Sequence, residues 1–142
     1  MTVAAILTKK GRDVVTAAAD LSIADVVQLL TTRRIGAVVI TDSDNHILGI
    51  VSERDVVRAL ARGAGALEGT VSSIMTTEVV TCTDRHTINE VMARMTEGRF
   101  RHLPVVEDDR VAGIISIGDV VKARIEQVEQ EADEMRAYIA MA

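Results

Sequence analysis

Two segments, Gly49-Ile50-Val51-Ser52-Glu53-Arg54-Asp55 and Gly113-Ile114-Ile115-Ser116-Ile117-Gly118-Asp119, set a serine three residues ahead of an aspartate at the end of an aliphatic run. The run reads as a strand that the serine closes, which puts the aspartate one turn into a following helix. A helix start of this kind offers unpaired N–H groups and partial positive charge to a phosphate. The serine hydroxyl adds a hydrogen bond, and the carboxylate can accept from two ribose hydroxyls. The same spacing also makes a plain capping box, in which both side chains satisfy only the helix's own donors. On spacing alone both readings stand.

A second cluster, Arg99-Phe100-Arg101-His102-Leu103-Pro104, gathers cations and donors just before a predicted strand. Arginine binds phosphate oxygens in a planar, charge-assisted way, and histidine can donate at modest desolvation cost; the bland reading is an exposed basic rim. At the matching place earlier in the chain stand the small residues Gly36 and Ala37. Other chemistry is thinly represented. Cys82, Asp84 and His86 alternate in one loop without a distant fourth ligand, which makes a poor metal site. His46 falls in a turn, Cys82 has no neighbouring base, and no phosphate loop, nucleophile elbow or His-Glu-x-x-His pair occurs. The expectation is no metal and no catalysis.

The elements that must position these residues are written twice. Val14-Val15-Thr16, then Ile23, Val26, Val27 and Leu30, then Ile35 to Ile40, then Ile47 to Val57 reappear as Val79-Val80-Thr81, then Ile88, Val91, Met92 and Met95, then Phe100 to Val106, then Val111 to Val121. The offset is 65 residues up to Thr41 and Val106 and 64 from Gly49 and Gly113, so one residue is missing from the second copy's turn. Each copy predicts strand, helix, strand, turn, strand, helix; the first helices open on Ser22-Ile23-Ala24-Asp25 and Thr87-Ile88-Asn89-Glu90. One copy is too short to bury both faces of its sheet, so the copies should pack together with pseudo-twofold symmetry as an α+β, sandwich-like fold of two β-α-β-β-α repeats. The divisions follow: residues 1–62 with the N-terminal segment, a Gly-rich linker 63–73, a second repeat 74–122, and a helical extension 123–142.

In that extension Val121, Ile125, Val128, Ala132, Met135 and Ile139 recur at spacings of four and three, a narrow helical seam flanked by Glu126, Glu129, Glu131 and Glu134. The seam either folds back on its own chain or meets a second subunit. The apolar segment Val3-Ala4-Ala5-Ile6-Leu7, of the same chain or of a partner, is the expected cover.

Composition narrows the function. With 142 residues, 48% of them hydrophobic, a full core is available, and it must be aliphatic because the chain has no Trp, one Tyr and one Phe. The net charge of −5 and missing aromatic platforms argue against nucleic-acid binding. A single cysteine rules out an internal disulfide and fits the cytoplasm, and no apolar stretch is long enough for a spanning helix.

With the duplicated Gly-Ile-x-Ser-x-x-Asp turns and the Arg-His-Leu-Pro-Val segment in hand, nearly all of residues 1–124 resembles a tandem pair of cystathionine-β-synthase (CBS) domains, a Bateman module of the small stand-alone bacterial type. The resemblance implies an adenosine-nucleotide sensor that takes AMP, ADP, ATP or NAD(H) in the cleft between copies, and a homodimer, often a flat disk. It implies that Asp55 and Asp119 hold ribose hydroxyls, that Ser52 and Ser116 sit near phosphate, and that Val15 and Val80, with Ile50 and Ile114, line adenine pockets. Arg101 and His102 match positions that meet phosphate, whereas Gly36-Ala37 supply no cation to the other cleft. Dimer contacts are expected around Val56-Val57 and Val120-Val121, and the effector is unknown, with thioredoxin-type redox proteins one option from plant relatives. The competing reading is an interaction protein in which the serine and aspartate pairs are caps and the C-terminal helix is the working surface.

Overall fold

A computed structural model describes residues 1–141. In chain order it runs α1 (Val3–Lys10), β1 (Thr16–Ala17), α2 (Ile23–Arg33), β2 (Ala37–Thr41), β3 (Ile47–Ser52), α3 (Glu53–Leu60), two short 3-10 turns (Ala64–Glu68 and Val71–Ser73), α4 (Ile88–Gly98), β4 (His102–Glu107), β5 (Arg110–Ser116) and α5 (Ile117–Met141). The expected duplication is present. β1 lies parallel to β2, which pairs antiparallel with β3, and β4 pairs antiparallel with β5.

Local chemistry sets the boundaries. Ser22 and Thr87 cap α2 and α4, accepting from the N–H of Asp25 and Glu90. Both helices end on an arginine in the left-handed region, Arg34 and Arg99, after which the chain enters its strand. The missing residue is accounted for in the turns. Between β2 and β3 the Asp42 carboxylate accepts from the N–H groups of Asp44 and His46, whereas Asp108 and Asp109 both adopt positive φ in a tight two-residue turn.

The second copy departs from expectation at its first strand. Val79 to Thr81 form no strand; one bridge from Cys82 to Val105 stands in for it, matching Ala17 one repeat earlier. Val80 is accordingly exposed rather than set in a sheet.

Each repeat has its own aliphatic core, completed by a segment from outside it. Val26, Leu30, Val38, Ile40, Val51 and Val56 enclose Val71 of the linker, while Ile88, Val91, Met95, Leu103, Ile115 and Val120 enclose Val3, Ile6 and Leu7 of α1. The backbone repeats this arrangement: Val71 N–H donates to Leu21 O at 2.8 Å, and Val3 N–H donates to His86 O at 2.9 Å. Thus α1, grouped by sequence order with the first repeat, packs on the second.

That packing also corrects the expected cover for the C-terminal seam. The apolar side chains of α1 are spent on the second core, with Val3 and Leu7 at most 1% exposed. Val120 and Ala123 face that core from α5, and the seam on the opposite face, from Val121 through Ile139, stays open in the chain. Val56 and Val120 point inward as well, so only Val57 and Val121 remain of the faces expected to meet a partner.

The closing segments explain the glycine in each repeated turn. A Cβ at Gly49 would lie 2.7 Å from Met75 Sδ and 2.9 Å from the carbonyl of Thr76, and one at Gly113 would lie 2.9 Å from Leu7 Cδ1. Thr76 is fixed by two backbone hydrogen bonds to Ile50, so it cannot yield. Gly49→Ala should therefore destabilise the chain by about 1–3 kcal/mol. Gly113→Ala, which meets only a side-chain end, should cost less; urea unfolding of both variants measures the difference.

Candidate functional site

Ser52 and Ser116 end β3 and β5 and start α3 and α5, as the spacing predicts. Ser52 N–H donates to Asp55 Oδ2 at 2.9 Å and Asp55 N–H returns to Ser52 Oγ at 3.4 Å. Ser116 N–H donates to Asp119 Oδ2 at 2.8 Å and Asp119 N–H to Ser116 Oγ at 3.2 Å. Capping is real in both turns, and all four residues stay partly accessible.

The surroundings of the two turns differ. Register sets Ala37 opposite Ser52 and His102 opposite Ser116. The His102 ring leans across the repeat boundary onto Gly36, where a Cβ would sit 2.9 Å from Cε1. Gly36 is therefore small because the other repeat's histidine occupies its side-chain space. In the first turn Arg54 reaches over to donate to the Arg99 carbonyl at 3.1 Å. In the second, Gly118 replaces that arginine, and its Cβ position is open apart from Ser116 Oγ at 3.6 Å.

A residue outside the predicted set completes the second turn. Lys10, at the end of α1, donates to Asp119 Oδ2 at 2.5 Å. Burial pushes the Asp119 carboxyl up, but the hydrogen bonds from Lys10 and Ser116 outweigh it and hold the group below the ordinary aspartate value. His102 is pushed below the ordinary histidine value, first by burial and then by Lys10 and Arg101, against the pull of Glu53 and Asp119. It is neutral at pH 7, so the positive charge here comes from Lys10, Arg101 and the nearby Lys122, and His102 is a neutral hydrogen-bonding group. Lys10 and Glu53 were hidden from sequence reasoning: Lys10 lies 109 residues from Asp119, and its only local signal is a basic end to a short helix.

The predicted hydrophobic residues are dispersed. Ile50 is held between β2 and the bridge to Thr76, Ile114 pairs with Pro104, Val15 packs against the first core, and Val80 is exposed. Beside Asp119 the chain leaves a concavity of about 110 Å³ bordered by Ile6, Lys10, Lys122 and Ala123. That is small against the roughly 300–1,000 Å³ of ligand pockets.

The remaining candidates are engaged elsewhere. Cys82 is buried, which pushes its thiol up to about 11; Asp84 takes both guanidinium nitrogens of Arg12; and the His86 ring meets Thr83. Asp42, Asp44 and His46 cluster in an exposed turn, where the Asp42 carboxylate already organises the backbone. Among the described residues no helix is long and apolar enough to cross a membrane.

Two pseudo-symmetric repeats, each with a capped strand-to-helix turn beside the boundary between them, define a tandem-repeat architecture. The chain belongs to the CBS-domain family, whose model matches residues 3–62 and 71–126. It is similar to the mitochondrial CBS domain-containing protein CBSX3 of Arabidopsis thaliana, at 34% identity over 84% of this chain and 61% of the relative. It thus spans less than two thirds of the length of the curated relatives it matches first. Among solved structures it is similar to the CBS-domain containing protein ATU1752 of Agrobacterium tumefaciens, with 53% identity and a TM-score of 0.85 over 87% of this chain and 99% of that one. Two other similar pairs were solved with adenosine compounds. The pair of protein MJ0100 is in complex with 5'-methylthioadenosine and S-adenosyl-L-methionine (26% identity, TM-score 0.80, 89% and 98% covered). The Pyrobaculum aerophilum protein PAE2072 is complexed with AMP (28% identity, TM-score 0.75, 84% and 89% covered).

The titrations predict a two-stage loss of stability on acidification. For His102 the unfolded chain takes up its proton first, near pH 6.5, so stability is full above about pH 6.5 and declines as pH falls toward the lower folded value. For Asp119 the contribution is present above about pH 4 and is lost as pH falls through its depressed folded value. Unfolding free energies measured from pH 7 to 3 should show both limbs, with His102→Gln flattening the first and Asp119→Asn the second.

Proposed function

We propose that the chain is a regulatory, non-catalytic module that binds an adenosine nucleotide at the second-repeat turn and works as a homodimer in a reducing, cytoplasmic compartment. The observation that carries this reading is the convergence on one helix start of Ser116, Asp119, the open Gly118, His102 opposite Ser116, and the cations Lys10 and Arg101. Asp119 accepts from the ribose hydroxyls. The first-turn N–H groups, Ser116 and His102 donate to the 5' phosphate, and Lys10 swings from the carboxylate to the phosphate, enlarging the concavity. Ile114 and Val80 contribute the apolar wall for the base.

The adenosine compounds of the two similar pairs differ at the 5' position and share the nucleoside. With Lys10, Arg101 and Lys122 beside the turn, this chain favours an anionic 5' group, as in AMP, ADP, ATP or NAD(H), over a sulfonium. The first turn, Ser52 and Asp55 with Val15, Ile50, Gly36 and Ala37, has no such cation pair among its predicted residues and is the weaker site. The outer faces of α3 and α5, with Val57, Leu60, Ile117 and Val121 exposed, supply the apolar area for a second copy. The rival reading, an interaction protein without a small ligand, draws on the capping bonds that already satisfy both turns.

Calorimetry separates them. AMP should bind in the micromolar range, and Asp119→Ala should weaken it at least about tenfold, or about 1.4 kcal/mol. Arg101→Ala should weaken AMP by a similar factor and leave adenosine unchanged. If AMP, ATP, NADH and S-adenosylmethionine all fail to bind, the interaction reading stands in place of this one.

A further inference from the structure

α5 runs for 25 residues, and from Val121 onward its apolar seam has no cover. Val121 is 46% exposed, Ile125 53%, Val128 48%, Met135 59% and Ile139 64%. The side that faces the second-repeat core carries Val120 and Ala123, so the seam points away from the module. Its spacing is a heptad repeat with Ile125, Ala132 and Ile139 at a and Val121, Val128 and Met135 at d.

We propose that this half of α5 pairs with the same helix of a second copy as a parallel two-stranded coil, bringing second repeat against second repeat. The occupant and its direction follow from the charges beside the seam. Lys122, Glu129 and Arg136 fall at e; Arg124, Glu131 and Tyr138 fall at g. In a parallel pair each g side chain meets the e position of the next heptad across the seam. Arg124 then meets the partner's Glu129, and Glu131 meets the partner's Arg136, each contact occurring twice by symmetry. In an antiparallel pair with the seams fully overlapped, e faces e and g faces g. Glu129 would then oppose the partner's Glu129, Glu131 the partner's Glu131, and Lys122 the partner's Arg136, all like charges.

Three heptads are marginal for an isolated coil, so the tail adds to the contact between repeats put forward under the proposed function, on which this inference rests, and does not replace it. In the single chain the e and g cations Arg124 and Arg136 turn to Gln127 and Asp133 on their own helix, so no burial stands in the way of pairing. The inference is independent of nucleotide binding.

Two measurements on the full chain test it. Met135→Cys and Val121→Cys, each oxidised under mild conditions, should both form interchain disulfides, because a parallel pair sets every d residue against its own copy. Buried Cys82 does not compete. In sedimentation, Arg136→Glu should weaken the dimer roughly 3- to 10-fold through repulsion from the partner's Glu131. Adding Glu131→Arg should restore it. Absence of a Met135→Cys cross-link, or a tighter dimer with Arg136→Glu, overturns the proposal, since an antiparallel pair would gain an attraction to the partner's Lys122.

Discussion

Neither repeat has enough chain to cover its own sheet, and the rest of the fold follows from how that shortage is met. A piece of backbone from outside each repeat is laid across it: Val71 to Thr76 over the first, α1 over the second. The strand beneath must be bare at the crossing, which is why Gly49 and Gly113 precede the two turns. Because α1 closes the second repeat, its last residues arrive beside α5, and Lys10 reaches Asp119. The same event that completes the core therefore brings the cation to the site.

This closure makes two similar turns unequal. The first turn has Ala37 opposite its serine and an arginine, Arg54, that ties α3 to the end of α4. The second has a half-buried neutral histidine, an open glycine and a lysine already paired with the carboxylate. The Asp119 carboxylate is thus held by Lys10 across the chain, a contact that the carboxylate of the first turn does not have.

Most of the architecture was legible because duplication displays the same periodicities twice, and the serine caps and polar turns bracket them. Three features were not. The contact of Lys10 with Asp119 joins residues at opposite ends of the chain, and periodicity carries no information about such a pair. His102 looked cationic beside Arg101, but its charge is set by burial against Gly36, which only the packed repeats create. Val79 to Thr81 have the composition of a strand, yet the ladder begins and ends at Cys82, because β propensity expresses fit to a neighbour more than a property of the segment.

The continuity of α5 has a mechanical consequence. Its first turn carries Asp119, and the helix then runs without interruption to Met141, a rod about 37 Å long at 1.5 Å per residue. Only its first turns are clamped by the core, at Val120 and Ala123. A tilt of about 5° at that clamp carries the far end, about 27 Å beyond Ala123, through about 2 Å. The rod is a lever about that clamp, with Asp119 on its short arm and the apolar seam on its long arm, so a small adjustment at the first turn is magnified along the seam.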